Sequence, residues 1–146
     1  MEKFSLGDIE FHHTLAVQMR FNDADALGHV NNNAYFSFYD LGKTNYFDAV
    51  RGEYLPPKSI TWVLAHAEVN FLHPIFLNEK ISVQTTVSHI GTKSFELSQR
   101  LVDDRGTVKS EYRSVMVGFD FAHNQSAPIS DEWRQLFSKF EGRKLG

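Results

Sequence analysis

The 146-residue sequence contains no cysteine. This absence excludes disulfide bonds, thiolate metal sites and a cysteine nucleophile, and the cytoplasm is the expected location by default. Positive charge is also scarce, because 15 lysine and arginine residues stand against 18 aspartate and glutamate residues, a formal net charge of −3. A chain without a global basic field is not expected to bind nucleic acid or an anionic membrane surface.

Long apolar runs are absent as well. Charges at positions 2, 3, 8 and 10 do not fit a signal peptide, and no apolar stretch reaches the roughly 20 residues that span a bilayer. The sequence contains only 4 prolines, and no repeat or low-complexity linker divides it. A single soluble domain over residues 1–146 is therefore expected.

The first half of the chain predicts a strand, a loop and a long helix. Residues 15–21 are expected to form a short strand, and the polar segment 22–29 an ordered loop. Residues 33–50 are apolar or aromatic on nearly every side, which predicts a buried helix. Asn31 or Asn32 can cap it, and Arg51-Gly52 followed by Pro56-Pro57 can end it. Gly42 costs a helix about 1 kcal/mol against alanine, which indicates close contact with a neighbouring backbone.

The second half changes to a period of two. Apolar residues alternate with polar ones over residues 61–72, and further strands are predicted at 81–87, 95–101 and 112–119. Turns at 90–92 and 103–106 predict hairpins, so three or four consecutive strands should form an antiparallel sheet. A last amphipathic segment, residues 130–140, predicts a C-terminal helix with a serine cap. The long helix is expected to cover the apolar face of the sheet.

The loop and the helix start carry a specific motif. Residues 17–36, VQMRFNDADALGHVNNNAYF, contain an Arg-aromatic strand end, an Asp-x-Asp, a glycine and an asparagine before a tyrosine. With the order of elements, they resemble the 4-hydroxybenzoyl-CoA thioesterase-like family of hotdog-fold acyl-CoA thioesterases. VNFLHPI at 69–75 and GTKSF at 91–95 are also similar to this family. The resemblance implies an α+β hotdog fold, an antiparallel β-sheet wrapped around a long buried central helix, in a homodimer or homotetramer.

The resemblance also implies an activity and a catalytic residue. Relatives hydrolyse an acyl-CoA thioester to the free acid and CoA, and their catalytic carboxylate corresponds to Asp25. An aspartate, with a reference pKa of about 3.9, is ionised at neutral pH and can act as nucleophile or general base. Amides at the start of the helix, around Asn32 to Tyr35, can polarise the carbonyl. No cofactor is expected, because coenzyme A is part of the substrate.

Structural explanations of the same loop remain open. Aspartates near glycine commonly brace a tight turn through bonds from side chain to backbone, and this role is expected for Asp23. His29 is the second catalytic candidate, because it can orient a water, polarise the carbonyl or pair with Asp25; it can equally be a turn residue. Three further residues are predicted to bind substrate at the helix start, namely Asn32, Asn33 and Tyr35.

Two strand and hairpin segments supply further predicted binding residues. His66 and Glu68 share one strand face, and Glu68 is the alternative catalytic carboxylate, because one branch of hotdog thioesterases uses an acidic residue on that strand; a solvated strand face is the structural explanation. Thr92, Lys93 and Ser94 place a cation and two hydroxyls on a hairpin, as CoA phosphates require, although surface lysines are common in turns.

Metal binding and two related activities are the alternatives to this interpretation. Neither His66 with Glu68 nor the pair His12-His13 has a third ligand at a recognisable spacing, so no metal is expected. The His-Val-Asn-Asn part of the loop is also similar to acyl-ACP thioesterases. Hotdog-fold enoyl-CoA or enoyl-ACP hydratases and dehydratases pair an acid with a histidine, which Asp25 and His29 could supply. The Asp-x-Asp context favours the acyl-CoA thioesterase, without specifying the acyl group.

Overall fold

The computed structural model describes residues 4–54 and 60–146. Within them the elements follow in the order β1 (Thr14–Val17), α1 (Asn32–Arg51), β2 (Trp62–Phe71), β3 (Ile81–Ile90), β4 (Ser94–Asp103), β5 (Val108–Asp120), β6 (Gln125–Ser126) and α2 (Asp131–Glu141). The predicted α+β class is confirmed, with one long helix against an antiparallel sheet. Neither helix in this part of the chain is long and apolar enough to cross a membrane.

The main sheet has the strand order β1-β3-β4-β5-β2, and β6 pairs with the end of β5. The meander β3-β4-β5 confirms the predicted hairpins. β2 and β3 are not neighbours in the sheet, so they do not form a hairpin. The connection between them has nine residues, 72–80, whereas hairpin loops usually have about 2–5 residues. β2 instead pairs with β5, with Trp62 opposite Gly118 and Phe71 opposite Ser110. No described strand pairs with its outer side.

The predicted strand over residues 15–21 is too long. β1 ends at Val17, and Phe21–Asp23 form a single 3₁₀ turn. The reason is local, because the Arg20 amide donates to the Asp23 carboxylate at 2.8 Å and turns the chain. This turn directs the following loop toward the start of α1.

α1 confirms the predicted helix to within one residue at each end. The Asn31 side chain accepts the Asn33 amide at 2.9 Å, and Gly52 ends the helix with φ 84°, which glycine adopts without a steric penalty. The expected burial on every side is wrong for this single chain. Tyr39 is fully buried, whereas Leu41 on the opposite face is 55% exposed. Phe36 is still 38% exposed, although its ring contacts Tyr112 of β5. Pro56-Pro57 lies outside the described residues.

Gly42 lies where α1 crosses β3. A Cβ there would lie 2.7 Å from both methyl carbons of Val83 and 3.2 Å from Thr85 Oγ1. The expected close contact is present, but it involves side chains of β3 and not a backbone. Side chains of a strand stand perpendicular to the sheet, so those of β3 reach the helix before its backbone does.

Two buried clusters hold the helices on the sheet. One joins the second half of α1 to α2 through aromatic residues that include Tyr46, Phe47, Trp133 and Phe137. The predicted C-terminal helix is confirmed, and its cap Ser130 accepts the Trp133 amide at 3.2 Å. The other cluster lies under the first half of α1 and contains Tyr35, Tyr39, Ile75 and Tyr112, among others. This second cluster supports the loop that precedes α1.

Candidate active site

A cleft of about 330 Å³ opens where the start of α1 meets the end of β2. Four of the predicted site residues line it together, namely Asp25, His29, Asn32 and Tyr35. The opposite side is formed by residues 71–74, which follow from the end of β2. Residues 22–30, called the site loop below, carry Asp25 and His29 to the mouth of the cleft.

Asp23 anchors the site loop from inside. Its carboxylate is buried and accepts the Arg20 amide at 2.8 Å and the Arg20 guanidinium at 3.1 Å, while its carbonyl accepts the Asn31 amide at 2.6 Å. Burial by itself would raise the pKa of Asp23, but the bonds from Arg20 outweigh it and lower the pKa. Asp23 therefore has the loop-structuring role expected for it.

Asp25 closes the tip of the site loop. Its amide donates to the His29 carbonyl at 2.7 Å, and its Oδ1 accepts the amides of Leu27 and His29 at 2.9 and 3.1 Å. Its Oδ2 accepts no hydrogen bond from any residue that the structure describes. The side chain is exposed and lines the cleft. One carboxylate oxygen therefore braces the loop, while the other is open to a bound molecule.

The His29 ring is held by an aromatic contact. It packs edge-on against Phe76 with ring centroids 4.9 Å apart, and the two residues also form a backbone bridge. Within the described residues its ring makes no hydrogen bond to Asp25, so the two residues interact through the His29 backbone alone. The ring lines the cleft without being paired to the carboxylate.

The first turn of α1 offers few free amides. The Asn33 amide donates to Asn31 Oδ1 at 2.9 Å, and the Ala34 amide donates to the Asn31 carbonyl at 2.9 Å. The amide of Asn32, the first helical residue, has no acceptor within the helix, and Asn32 lines the cleft. Asn33 lines a separate polar cavity beside Arg20. The structure therefore separates Asn33 from the other predicted residues of this helix start.

Tyr35 lies at the back of the cleft. It is buried, and this burial raises the pKa of its hydroxyl, opposed in part by a hydrogen bond from the Ile75 backbone. Its ring contacts Phe71 edge-on at 5.1 Å between centroids. The deep side of the cleft is therefore aromatic and uncharged, whereas the mouth carries the Asp25 carboxylate.

His66 and Glu68 do not line this cleft. Glu68 Oε1 accepts the Arg113 guanidinium at 2.7 Å and lies 3.3 Å from His66 Nε2. The Arg113 hydrogen bond, and after it the His66 bond, lower the pKa of Glu68. Val69 packs against the cluster under α1, so its neighbour Glu68 lies on the opposite face of the sheet. Within one chain, these contacts place Glu68 on a solvated strand face outside the cleft of Asp25.

The chain matches the family model described as the thioesterase-like superfamily over residues 19–137. It belongs to that superfamily. The expected class, a thioester hydrolase, is confirmed, and so is the resemblance to hotdog-fold thioesterases. A comparison with curated proteins finds no match.

Solved structures agree with this assignment. The thioesterase is similar to a thioesterase from Thermus thermophilus complexed with coenzyme A and Zn, with 28% identity, a TM-score of 0.82, and coverage of 92% of this chain and 98% of that one. A thioesterase-superfamily protein from Jannaschia sp. CCS1 shares 26% identity over 91% of this chain and 85% of its own, with a TM-score of 0.78. A Staphylococcus aureus protein in complex with CoA shares the fold at 14% identity, with a TM-score of 0.81 over 97% of this chain and 91% of that one.

Thr92, Lys93 and Ser94 lie at the far end of the thioesterase sheet. The Lys93 carbonyl accepts the Gly118 amide at 2.8 Å, and Gly118 is opposite Trp62, the first residue of β2. The cleft lies beyond Phe71, the last residue of β2. Ten residues of strand, at about 3.3 Å each, correspond to roughly 30 Å. One chain therefore does not bring this hairpin to the cleft.

Residues 71–74 and Asn31 were not predicted as site residues. The segment 69–75 is similar to the family, and Pro74 marks the end of a strand, but neither signal places it beside the site loop. The contact depends on the crossover from β2 to β3, which the sequence does not reveal. Among the described residues, no group of three or more His, Asp or Glu side chains is arranged to hold a metal ion.

Proposed function

We propose that this thioesterase hydrolyses an acyl-CoA to the free acid and CoA, with Asp25 as nucleophile or general base. The main support is that Asp25, whose Oδ2 accepts no hydrogen bond within the described residues, lines the same cleft as Asn32, the first residue of α1. The amide of a first helical residue has no acceptor within the helix. A carboxylate oxygen beside a hydrogen-bond donor is the pair that acyl transfer requires.

The geometry supports two routes to the same products. Oδ2 can attack the thioester carbonyl carbon to form a mixed anhydride that water then hydrolyses, or it can take a proton from a water that attacks that carbon. In both routes the carbon–sulfur bond breaks, and the CoA thiolate leaves and takes up a proton. The bonds from Leu27 and His29 to Oδ1 hold the carboxylate in one orientation, which favours either attack. The Asn32 amide stabilises the oxyanion.

The cleft also suits the two ends of the substrate. Tyr35 and Phe71 give it an aromatic inner side, on which the acyl group can pack. The Thermus thermophilus thioesterase, similar over nearly the whole chain, is complexed with coenzyme A, which supports CoA as the thiol carrier.

A homodimer would complete the site. No strand of the described residues pairs with the outer side of β2, and Val63 and Leu64 on this strand are 36% and 51% exposed. An unpaired apolar edge strand favours pairing with another chain, and a twofold axis would pair two β2 strands antiparallel. The Trp62 end of one copy would then lie beside the Phe71 end of the other. Lys93 of the second copy would approach the cleft, where CoA phosphates need a cation.

The deciding experiment measures free thiol released from a panel of acyl-CoAs by the wild type, Asp25→Asn and Glu68→Gln. Asp25→Asn should lose a factor of about 100 or more in turnover, because general-base catalysis contributes about 10²–10⁴. Glu68→Gln should retain near-normal turnover, since Glu68 lies on the other sheet face. The reverse pattern would transfer the catalytic role to Glu68.

Other outcomes would assign a different activity. Hydration of an enoyl-CoA without thiol release would identify a hydratase, and hydrolysis of acyl-ACP alone would identify an acyl-ACP thioesterase.

The absence of a cofactor and the cytoplasmic location stay predictions. Turnover that persists after EDTA treatment and desalting would support the first of them.

A further inference from the structure

We infer that Lys109 is a positioning residue for this site, because it clamps residues 72–79, called the wall segment, together with Glu79. The inference rests on the proposed function, since the position of the wall segment affects turnover only if the reaction takes place in the cleft. Lys109 does not line the cleft. Its role is to fix the groups that do.

Lys109 contacts three consecutive residues of the cleft wall. The side chain is buried, at 8% exposure, and its Nζ donates to the Pro74 carbonyl at 3.2 Å. Its backbone carbonyl accepts the amides of Leu72 and His73 at 2.9 and 3.1 Å. The first residues of the wall segment are therefore fixed to the start of β5 from both the side chain and the backbone of one residue.

Glu79 closes the other end of the wall segment. Its Oε2 lies 2.9 Å from Lys109 Nζ, and its Oε1 accepts the Phe76 amide at 2.9 Å. The Glu79 amide donates to the Phe76 carbonyl at 3.0 Å. A lysine ammonium has three donors, and Asp103 Oδ2, at 4.0 Å, is the third oxygen near Nζ. The ion pair thus joins both ends of the turn.

The clamped turn is bonded to the site loop. The Ile75 carbonyl accepts the Val30 amide at 2.7 Å, and Phe76 pairs with His29 through both backbone and ring. The His29 amide in turn holds Asp25 Oδ1. A shift of the wall segment is therefore transmitted to the carboxylate through three successive contacts. A buried ion pair adds little net stability. The main expected effect of the Lys109–Glu79 pair is therefore on the position of the wall segment, and not on the stability of the fold.

The test separates position from stability with four variants. Lys109→Met removes the ammonium but keeps the apolar stem, and Lys109→Arg retains a cation that can reach Pro74 and Glu79. Lys109→Met combined with Glu79→Gln removes both charges, while glutamine can still accept the Phe76 amide. Lys43→Met is the matched control, because Lys43 is equally buried, at 9% exposure, and has only Asp40 at 3.8 Å as an ion-pair partner within the described residues.

For each variant, kcat and KM for a hydrolysed acyl-CoA, urea stability and amide exchange at His29 and Val30 are measured. Lys109→Met should lower kcat about tenfold or more with KM changed by less than about threefold, since small misplacements cost rate more than binding. Exchange at His29 and Val30 should become faster. The double variant should recover stability but not kcat, Lys109→Arg should recover part of kcat, and Lys43→Met should keep the wild-type kcat.

Recovery of kcat together with stability in the double variant would reduce Lys109 to a structural residue and overturn the inference. So would wild-type kcat in a folded Lys109→Met. If the wild type hydrolysed none of the acyl-CoAs, the proposed function would fail, and amide exchange would still decide whether Lys109 orders the site loop: unchanged exchange at His29 and Val30 would overturn the clamp, and faster exchange would support it.

Discussion

Asp25 Oδ1 accepts the backbone amide of His29 at 3.1 Å, a bond that spans the tip of the site loop. The Leu27 amide donates to the same oxygen at 2.9 Å. The structural and the catalytic explanations of this aspartate are therefore compatible, because each uses a different oxygen of one carboxylate. Substitutions that treat the two oxygens differently can separate the roles.

Asp25→Asn and Asp25→Ala should differ in stability. Asparagine retains a carbonyl oxygen that can accept both amides, so its free energy of unfolding should stay near that of the wild type. Alanine removes the acceptor and should lose about 1–2 kcal/mol, the usual net value of two hydrogen bonds. Urea denaturation measures the free energy of unfolding of both variants. Equal destabilisation by asparagine and alanine would show that the hydrogen bonds from Leu27 and His29 require the negative charge of Asp25.

Gly42→Ala should destabilise the fold, although alanine favours a helix. Its Cβ would lie 2.7 Å from both Val83 methyl carbons, and overpacking of this kind costs about 1–3 kcal/mol. The gain in helix propensity is only about 1 kcal/mol. In a double-mutant cycle with Val83→Ala, measured by urea denaturation, the double variant should lose less than the sum of the single variants. Simple additivity would argue against the contact.

Local patterns in the sequence were sufficient for most of the elements. The ends of α1 follow from Asn31 and Gly52, whose roles involve only neighbouring residues, and the hairpins of β3, β4 and β5 follow from short turns. The burial of α1 was overestimated, because Leu41 is apolar but 55% exposed, and Phe36 is 38% exposed even though its ring contacts Tyr112 of the sheet. The sequence of a helix shows which residues are apolar, but it does not show which of them are buried by other parts of the protein.

Placement of the site depended on non-local contacts that the sequence does not display. Asp25, His29, Asn32 and Tyr35 line one cleft, and the sequence could group them because they are within eleven residues of one another. Lys109 is about 80 residues further along, and it reaches the cleft wall only because β2 crosses over to pair with β5. No periodicity or motif indicates such a pairing.

The stability of the fold should fall as the pH rises past the titration of His12. Its Nε2 lies 3.1 Å from Glu10, and its Nδ1 lies 3.1 Å from the buried Glu141. The Glu10 hydrogen bond is the largest influence, and with Glu141 it outweighs burial and raises the pKa above 6.5. Because the pKa of His12 is higher in the folded protein than in the unfolded chain, protonated His12 stabilises the fold. This stabilisation is fully present below about pH 6.5 and is lost as the pH rises through the pKa of the folded state.

Urea denaturation between pH 5 and 9 tests this dependence. His12→Gln should flatten the decline in the free energy of unfolding, because glutamine does not titrate. His89→Gln is the control, since His89 is exposed and its side chain forms no hydrogen bond or ion pair within the described residues. An identical pH profile for His12→Gln and wild type would contradict the prediction.

Leu64→Glu should weaken the proposed homodimer. Leu64 is 51% exposed on the open edge strand, and a charge there would repel its counterpart across a twofold axis. Light scattering after gel filtration should give a lower mass for this variant than for wild type. Leu41→Glu, at a similarly exposed position on α1, should leave the mass unchanged. A monomeric wild type would refute the β2 interface.

Mixing Asp25→Asn with Lys93→Ala tests whether the second copy completes the site. Asp25→Asn should be inactive, and Lys93→Ala should have a raised KM for acyl-CoA with kcat kept, because a cation for the CoA phosphates is lost. In a heterodimer, the cleft of the Lys93→Ala chain contains Asp25 and faces the intact Lys93 of the other chain. Random exchange makes about half of the dimers heterodimers, and one of the two clefts in each heterodimer is complete. About a quarter of all clefts should therefore regain the wild-type arrangement. At low substrate, activity should therefore exceed the mean of the two separate variants after subunit exchange. Activity equal to that mean would indicate that Lys93 does not act across the interface.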